Sequence, residues 1–489
     1  MTHLAIDLGA GSGRVILGRF GEDDLLLKEA HRFTHPMAVA GGHLRWNANH
    51  ILNEIKRGIR QAGALARDLG DPIVSVGVDS WGVDYGLVDA GNRLLEDPVC
   101  YRDERTSVRM DEVFGEVPRR EIFDRTGIQF LSLNTLYQLV AHVRADGLPA
   151  GTSRLLLIAD LFHTLLGGRP CCEHTLATTT QMVSAATGDW DRELLARLGL
   201  PDAILPEIVA AGTPLGTLSL SLQRELDVPA MSIVAPAAHD TASAVVATPL
   251  EPGWTFLSSG TWSLLGVELD QPLITDSAYE HNFTNEAGAL GTIRFLKNVA
   301  GLWILESCRR QWGQKSPVRD YAVLAQAMTD LGSPVGTIDP DHSRFFNPPD
   351  MVAEVQASLR ESGRPVPDDE TRMSRVILDS LAWRYREVVG QIEHATGRPL
   401  AGIRIVGGGS RNDYLNQATA NACGLPVAAG PAEATALGNL VMQAIAAGRF
   451  ASLAEARAFI DRHVPAARYG PATRAGNPEG SPHRSRTQP

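Results

Sequence analysis

Each half of this chain carries the same uncommon arrangement: a short apolar strand, a turn built of small residues, and a second strand. In the first half Leu4-Ala-Ile-Asp-Leu8 runs into Gly9-Ala-Gly-Ser-Gly-Arg14 and leaves through Val15-Ile-Leu17. In the second half Phe256-Leu-Ser-Ser-Gly-Thr-Trp-Ser-Leu-Leu-Gly266 repeats it. Strands joined by so short a turn form a hairpin. Each hairpin is followed by a buried-type strand that stops at glycine, Val76–Gly82 in one half and Ile403–Gly409 in the other. Two similarly built units facing each other across a cleft are therefore expected, with unequal insertions.

Between these strands lie helical stripes. Ile51, Ile55, Ile59, Ala62, Ala66 and Leu69 share one face, as do Leu378, Leu381, Tyr385, Val388 and Ile392. Alternation of strand and helix patterns predicts an α/β fold. At 489 residues the chain needs more than one domain. Pro249 and Pro252-Gly253 interrupt the pattern and set the expected boundary: a first domain over 1–247 and a second over 248–462. From 463 to 489 the chain is rich in Pro, Gly, Arg and Ser, and a disordered tail is expected.

Charge excludes some functions. Forty-five basic residues against 56 acidic ones leave −11, the wrong sign for a general nucleic-acid binder. The uncharged stretch Tyr414–Ala432 holds polar residues and two prolines, so no membrane span is expected. The N-terminus has no basic segment and places Asp7 where a signal's apolar run would lie. Five cysteines, three isolated and Cys171–Cys172 adjacent, show no ligand spacing and read as reduced thiols, and a cytoplasmic protein is expected.

Five motifs could carry chemistry. In Asp7-Leu-Gly-Ala-Gly-Ser-Gly-Arg14 a small turn lets backbone N–H groups reach a phosphate, Ser12 adds a hydroxyl, and Arg14 adds charge. Asp7 could hold Mg²⁺ through water. Alone, this is equally a plain β-turn, and it is not a Walker A loop. Ser258-Ser-Gly-Thr261 has the same chemistry, and two such turns in matching places fit a clamp on a polyphosphate. Val406-Gly-Gly-Gly-Ser-Arg-Asn412 suits close approach to a flat or anionic ligand, or a tight strand–helix turn. A strand at Ser232 delivers His239 and Asp240 to an Ala-rich helix. Asp240 there is a helix N-cap or a carboxylate placed to take a proton from a hydroxyl. Val78-Asp-Ser-Trp-Gly-Val-Asp84, with Asp103 and Arg105 downstream and Trp46 and Asn298 in support, suits a sugar, whose C–H faces pack on rings. Core aromatics with surface ion pairs would leave the same pattern.

Together these segments resemble the FGGY family of carbohydrate kinases, over about Leu4 to Ala446. The distinctive stretches are Gly77-Val-Asp-Ser-Trp-Gly-Val-Asp-Tyr85, Leu133-Asn-Thr-Leu-Tyr-Gln-Leu139, His239-Asp-Thr-Ala-Ser243, Leu257-Ser-Ser-Gly-Thr-Trp-Ser-Leu264 and Leu296-Lys-Asn-Val-Ala-Gly-Leu-Trp303. The resemblance implies two ribonuclease-H-like domains of the actin-like ATPase fold, the first sugar-binding and the second nucleotide-binding. It implies ATP with Mg²⁺ as co-substrate and Asp240 as the base. It implies ATP contacts at Ala10, Gly11, Ser12, Gly13, Arg14, Thr261, Glu306 and Gly408, and sugar contacts at Gly82, His239, Asp240, Thr241 and Asn298. It implies phosphoryl transfer to the 1-hydroxyl of L-rhamnulose, in rhamnose breakdown, by a monomer or homodimer. Another ketose or polyol, such as L-fuculose or xylulose, would use the same fold and catalytic residues, and a nucleotide-switched binding ATPase is the reading from another class. Three positions depart from the family pattern: Gly11 stands for a serine, Glu306 for a glutamine, and Thr419 for a cysteine that in some relatives lies four residues before Cys423.

Overall fold

The structure is a computed structural model, and it describes residues 1–145, 147–313, 321–331 and 335–472. Thirteen strands make its two main sheets. The first holds β1 (Thr2–Leu8), β2 (Ser12–Phe20), β3 (Leu25–Thr34), β4 (Ile73–Ser80), β5 (Pro214–Thr217) and β6 (Ser232–Val234). The second holds β7 (Trp254–Ser259), β8 (Trp262–Leu269), β9 (Thr284–Ala287), β10 (Ile293–Ala300), β11 (Gly402–Val406), β12 (Val427–Ala429) and β13 (Ala467–Tyr469).

Their topologies are the same. The first sheet runs β3-β2-β1-β4-β6-β5 and the second β10-β8-β7-β11-β12-β13, with β9 added beside β10. In both, the first hairpin is antiparallel, its first strand pairs in parallel with the glycine-ended strand, and the last pair is antiparallel. The internal echo is thus a duplicated unit, and the two ribonuclease-H-like halves of an actin-like ATPase fold face each other across a cleft.

The central strands form because their runs are largely buried on both faces. All seven residues of β1 are buried, as fits a central strand covered by helices on each side. Helix α1 (Ala48–Leu69) starts where the Asn47 side chain accepts from His50 N–H and ends at Gly70, whose φ of 64° is the left-handed C-cap that glycine favours. Its buried face holds Ile51, Ile55, Ile59, Ala62 and Ala66, and each fully buried isoleucine contributes about 1.5–3 kcal/mol. Helix α3 (Glu370–Thr396) buries the other stripe.

Two helices join the halves. Helix α2 (Asp240–Val246) follows β6, and α4 (Ala434–Ala446) follows β12. Although α4 comes from the second half of the chain, it packs on the first sheet. Asn439 Nδ2 donates to Gly77 O at 3.1 Å and Asp79 Oδ2 at 2.6 Å, and Gln443 Nε2 donates to Leu4 O at 3.0 Å. These amides satisfy buried acceptors that an apolar helix face would leave unpaired.

The expected tail needs correction at its start. His463 ends a helix spanning Leu453–His463, and β13 pairs with β12, so ordered chain continues past 463. Tyr469 OH also donates to Asp413 Oδ1 at 2.6 Å. A three-residue edge strand takes its stability from its neighbour, and composition does not register that. The remainder of that tail, 473–489, lies outside the described residues. The cysteines are free thiols, four buried and Cys423 half-buried.

Candidate active site

The cleft between the sheets contains a cavity of about 270 Å³. Both hairpin turns reach it, the first through Asp7, Gly9, Ala10 and Arg14 and the second through Ser258–Trp262. The glycine-ended strands deliver Gly82 and Gly408, and the start of α2 delivers His239, Asp240 and Thr241. Asn298, from β10, also lies on the wall. Of the residues expected from sequence, Gly11, Ser12, Gly13 and Glu306 are not on it. Gly13 is small for another reason: a Cβ there would stand 2.3 Å from the Phe33 ring. Glu306 lies on a helix spanning Trp303–Trp312 and pairs with Arg309 at 2.7 Å.

Asp240 is the first residue inside α2, whose N-cap is His239. Asp240 is therefore not the N-cap residue itself, although its side chain accepts from a first-turn N–H. Its Oδ1 accepts from Thr241 N–H at 2.5 Å and lies 3.4 Å from His239 Nε2. Burial pushes its carboxyl above the usual carboxylate range; the charge of His239 opposes this, and that of Asp7 adds to it. A raised pKa suits a group that must take up a proton late in a transfer.

Asp7 and Arg14 face each other across the first hairpin and form an ion pair. Arg14 also pairs with Glu433, the N-cap of α4, and Glu433 pairs with Arg411 at 2.6 Å. Beside Asp7 in the sheet, Asp79 is fully buried, and burial holds its carboxyl well above the ordinary range.

The glycine loop after β11 is shaped by the second hairpin. Gly407 has φ 81°, and a Cβ on Gly409 would stand 2.0 Å from Ser259 Oγ. Only glycine lets the strand end lie directly on that turn.

On the sugar-side motif the structure divides the expected residues. Trp81 and Gly82 line the cavity. Trp46 does not: it packs behind Trp81, ring centroids 4.6 Å apart, and is 1% exposed. Asp84 Oδ2 accepts both indole N–H groups, at 2.7 Å from Trp46 and 2.9 Å from Trp81. Burial pushes the Asp84 carboxyl up to about 6, against the pull of these donors. Asp103 and Arg105 are also off the wall. Asp103 accepts from Leu44 N–H at 2.7 Å, and Arg105 donates to Gln138 Oε1 at 3.0 Å. The motif therefore supplies one ring and its support rather than a cluster of sugar contacts. Asn298 is held across the cleft by Gln129 Oε1, which accepts from its main-chain N–H at 2.9 Å and its Nδ2 at 3.2 Å.

Residues 2–247 match the N-terminal domain and residues 255–447 the C-terminal domain of the FGGY family of carbohydrate kinases. The chain belongs to this family. A relative named rhamnulokinase from Bacteroides thetaiotaomicron is 40% identical over 472 residues, covering 96% of each chain. Another of that name, from Pectobacterium carotovorum, is 42% identical over 96% of this chain and 92% of its own. Among solved structures, a gluconate kinase from Lactobacillus acidophilus superposes with a TM-score of 0.77 at 16% identity, covering 96% of this chain and 94% of its own. A glycerol kinase from Plasmodium falciparum, solved with ADP, gives 0.75 at 15% with the same coverage. These likenesses show the fold that FGGY kinases share.

Within this FGGY kinase cleft, several wall residues carried no sequence signal. Gln129, Thr179, Thr284 and Glu286 line the cavity from scattered positions, while Asn134 belongs to the stretch Leu133–Leu139. Glu286 and Arg294 stand opposite each other on β9 and β10, a pairing that only the strand register reveals. Among the described residues no group of three or more His, Cys, Asp or Glu is arranged to hold a metal ion, and no helix is long and apolar enough to cross a membrane.

Proposed function

We propose that this protein transfers the γ-phosphoryl group of ATP to the 1-hydroxyl of L-rhamnulose, giving L-rhamnulose 1-phosphate and ADP. The observation that carries the reading is Asp240, a carboxylate of raised pKa set in the interlobe cavity that both hairpin turns also reach. Relatives named rhamnulokinase over nearly the whole chain support the choice of sugar.

In this reading the main-chain N–H groups of the two turns, with Thr261 and Arg14, hold the phosphates, and the glycine loop at Gly408 borders the nucleotide. Gly82, His239, Thr241 and Asn298 hold the sugar, with Trp81 packed on a C–H face. The first lobe, 1–247, then carries mostly the sugar and the second, 248–462, mostly the nucleotide. Phosphoryl transfer is loose and charge-rich, so alignment and electrostatics dominate. Asp240 orients the hydroxyl in line and accepts its proton as the new P–O bond forms and the bond to ADP breaks. Closure of the lobes around sugar excludes water and suppresses ATP hydrolysis.

The donor set fits a magnesium ion that enters with the nucleotide. Asp7 is a buried carboxylate on the cavity wall, yet the described residues offer no three-ligand cage. Asp7 would meet the ion through water, and the ion would neutralise phosphate charge. Free thiols and an ATP substrate support a cytoplasmic location.

The test is ADP release measured with L-rhamnulose, L-fuculose, D-xylulose and no sugar. Strong stimulation, greatest with L-rhamnulose, is expected. Preference for another ketose reassigns the substrate, and ADP release independent of sugar points to a nucleotide switch.

A further inference from the structure

A chain of four charged or ionisable side chains crosses from the second lobe to the proposed base. Arg294 on β10 is fully buried, and its Nη2 lies 3.1 Å from Glu286 Oε2 on β9. Glu286 Oε2 lies 3.3 Å from His239 Nδ1, and Arg294 Nη2 lies 3.2 Å from the same nitrogen. The other ring nitrogen, Nε2, lies 3.4 Å from Asp240 Oδ1. The main chain of His239 belongs to the first lobe, where its N–H donates to Thr175 Oγ1 at 3.2 Å. Its ring is thus held by the second lobe while its backbone is held by the first.

This arrangement is a poor way to gain stability. A buried ion pair recovers its desolvation cost only when its hydrogen bonding is saturated. Here Arg294 Nη1 is buried without a partner, and Glu286 Oε2 accepts no hydrogen bond of good geometry. The pair does, however, lie directly behind the imidazole that faces Asp240. Arg294 Nη2 donates to Nδ1, so that nitrogen accepts and the ring proton sits on Nε2, the nitrogen facing Asp240.

We propose that Glu286 is a positioning residue that holds Arg294 against the His239 ring and, through that ring, aims the Asp240 carboxylate. The inference rests on Asp240 being the base. Because Glu286 and Arg294 belong to one lobe and Asp240 to the other, the base is aimed only when the lobes are together. Arg294 Nε, donating to Ala287 O at 3.0 Å, anchors the far end of the chain to the sheet.

A double-mutant cycle on kcat tests this, using Glu286→Gln, His239→Gln and the pair, with Asp240→Asn in parallel. Each of the first two variants is expected to lower kcat about 10- to 100-fold and to leave the KM for ATP within about two-fold. The double variant is expected to be no slower than the worse single one, because residues acting as one unit lose their effect together. Losses that multiply, or an unchanged kcat in Glu286→Gln, overturn the positioning role while Asp240→Asn stays inactive. An active Asp240→Asn overturns the base and this proposal with it. If Glu286→Gln does not fold, Arg294→Lys takes its place with the same two outcomes, since it keeps the charge and loses the Nε anchor to Ala287 O.

Discussion

The main-chain carbonyl oxygen of Ser243 lies 1.7 Å from where a Cβ on Gly438 would stand. Helices α2 and α4 therefore cross with their backbones in direct contact. The duplicated topology extends to them, since each follows the parallel strand next to a glycine-ended strand. Their N-caps each make a charged contact: His239 faces Asp240, and Glu433 pairs with Arg14. Replacing Gly438 with Ala forces the helices apart. Overpacking of this kind is expected to cost about 1–3 kcal/mol, read as a lower denaturant midpoint, with a fall in kcat as the helices that join the halves shift.

Asp84 fixes both Trp46 and Trp81, and only Trp81 reaches the cavity. Asp84→Leu leaves two buried indole N–H groups unpaired, each costing about 1–3 kcal/mol. Thermal unfolding is expected to move down. Steady-state kinetics are expected to show the KM for sugar rising well above any change in the KM for ATP, because Trp81 loses its fixed orientation.

The two hairpin turns make separable demands. Thr261→Val keeps shape but removes a hydroxyl from the second turn. The KM for ATP is expected to rise more than the KM for sugar, and initial-rate measurements varying each substrate check the ranking.

Asp240 gives two opposite pH signatures. Its carboxyl is raised in the fold, so the base is lost as pH falls through that raised value. The acid limb of kcat/KM is expected above the ordinary aspartate value of about 3.9. For stability the sign reverses. A raised folded pKa favours the protonated carboxyl, so its stabilising contribution is complete below the unfolded pKa and is lost as pH rises through the folded one. At neutral pH the ionised Asp240 then destabilises the native state. Asp240→Asn is expected to unfold at a higher temperature than the natural protein near pH 7, the gap narrowing toward pH 4.

What the sequence revealed was local. Leu4–Leu17 and Phe256–Gly266 read as hairpins because strand, turn and strand lie side by side in the chain, and the α1 stripe repeats at helical spacing. Asp240 was visible because a strand and an Ala-rich helix bracket it. Trp46 and Gly13 read as ligand contacts or as core alike, because an indole or a glycine looks the same in both; only the packing of Trp81 and Phe33 separates the two. Glu286, Arg294 and Glu433 went unread because strand register and the crossing of α4 onto the first sheet bring them in from distant positions. The edge strand at Ala467–Tyr469 was hidden by a composition that suggested disorder.

The central claim is that Asp240 removes the proton from the sugar hydroxyl. Turnover of Asp240→Asn, measured with saturating ATP and L-rhamnulose alongside binding of each, tests it most directly. A loss of about 10²–10⁴-fold in kcat with both ligands still bound is expected from removing a general base. Turnover near that of the natural protein would show that the proton leaves by another route.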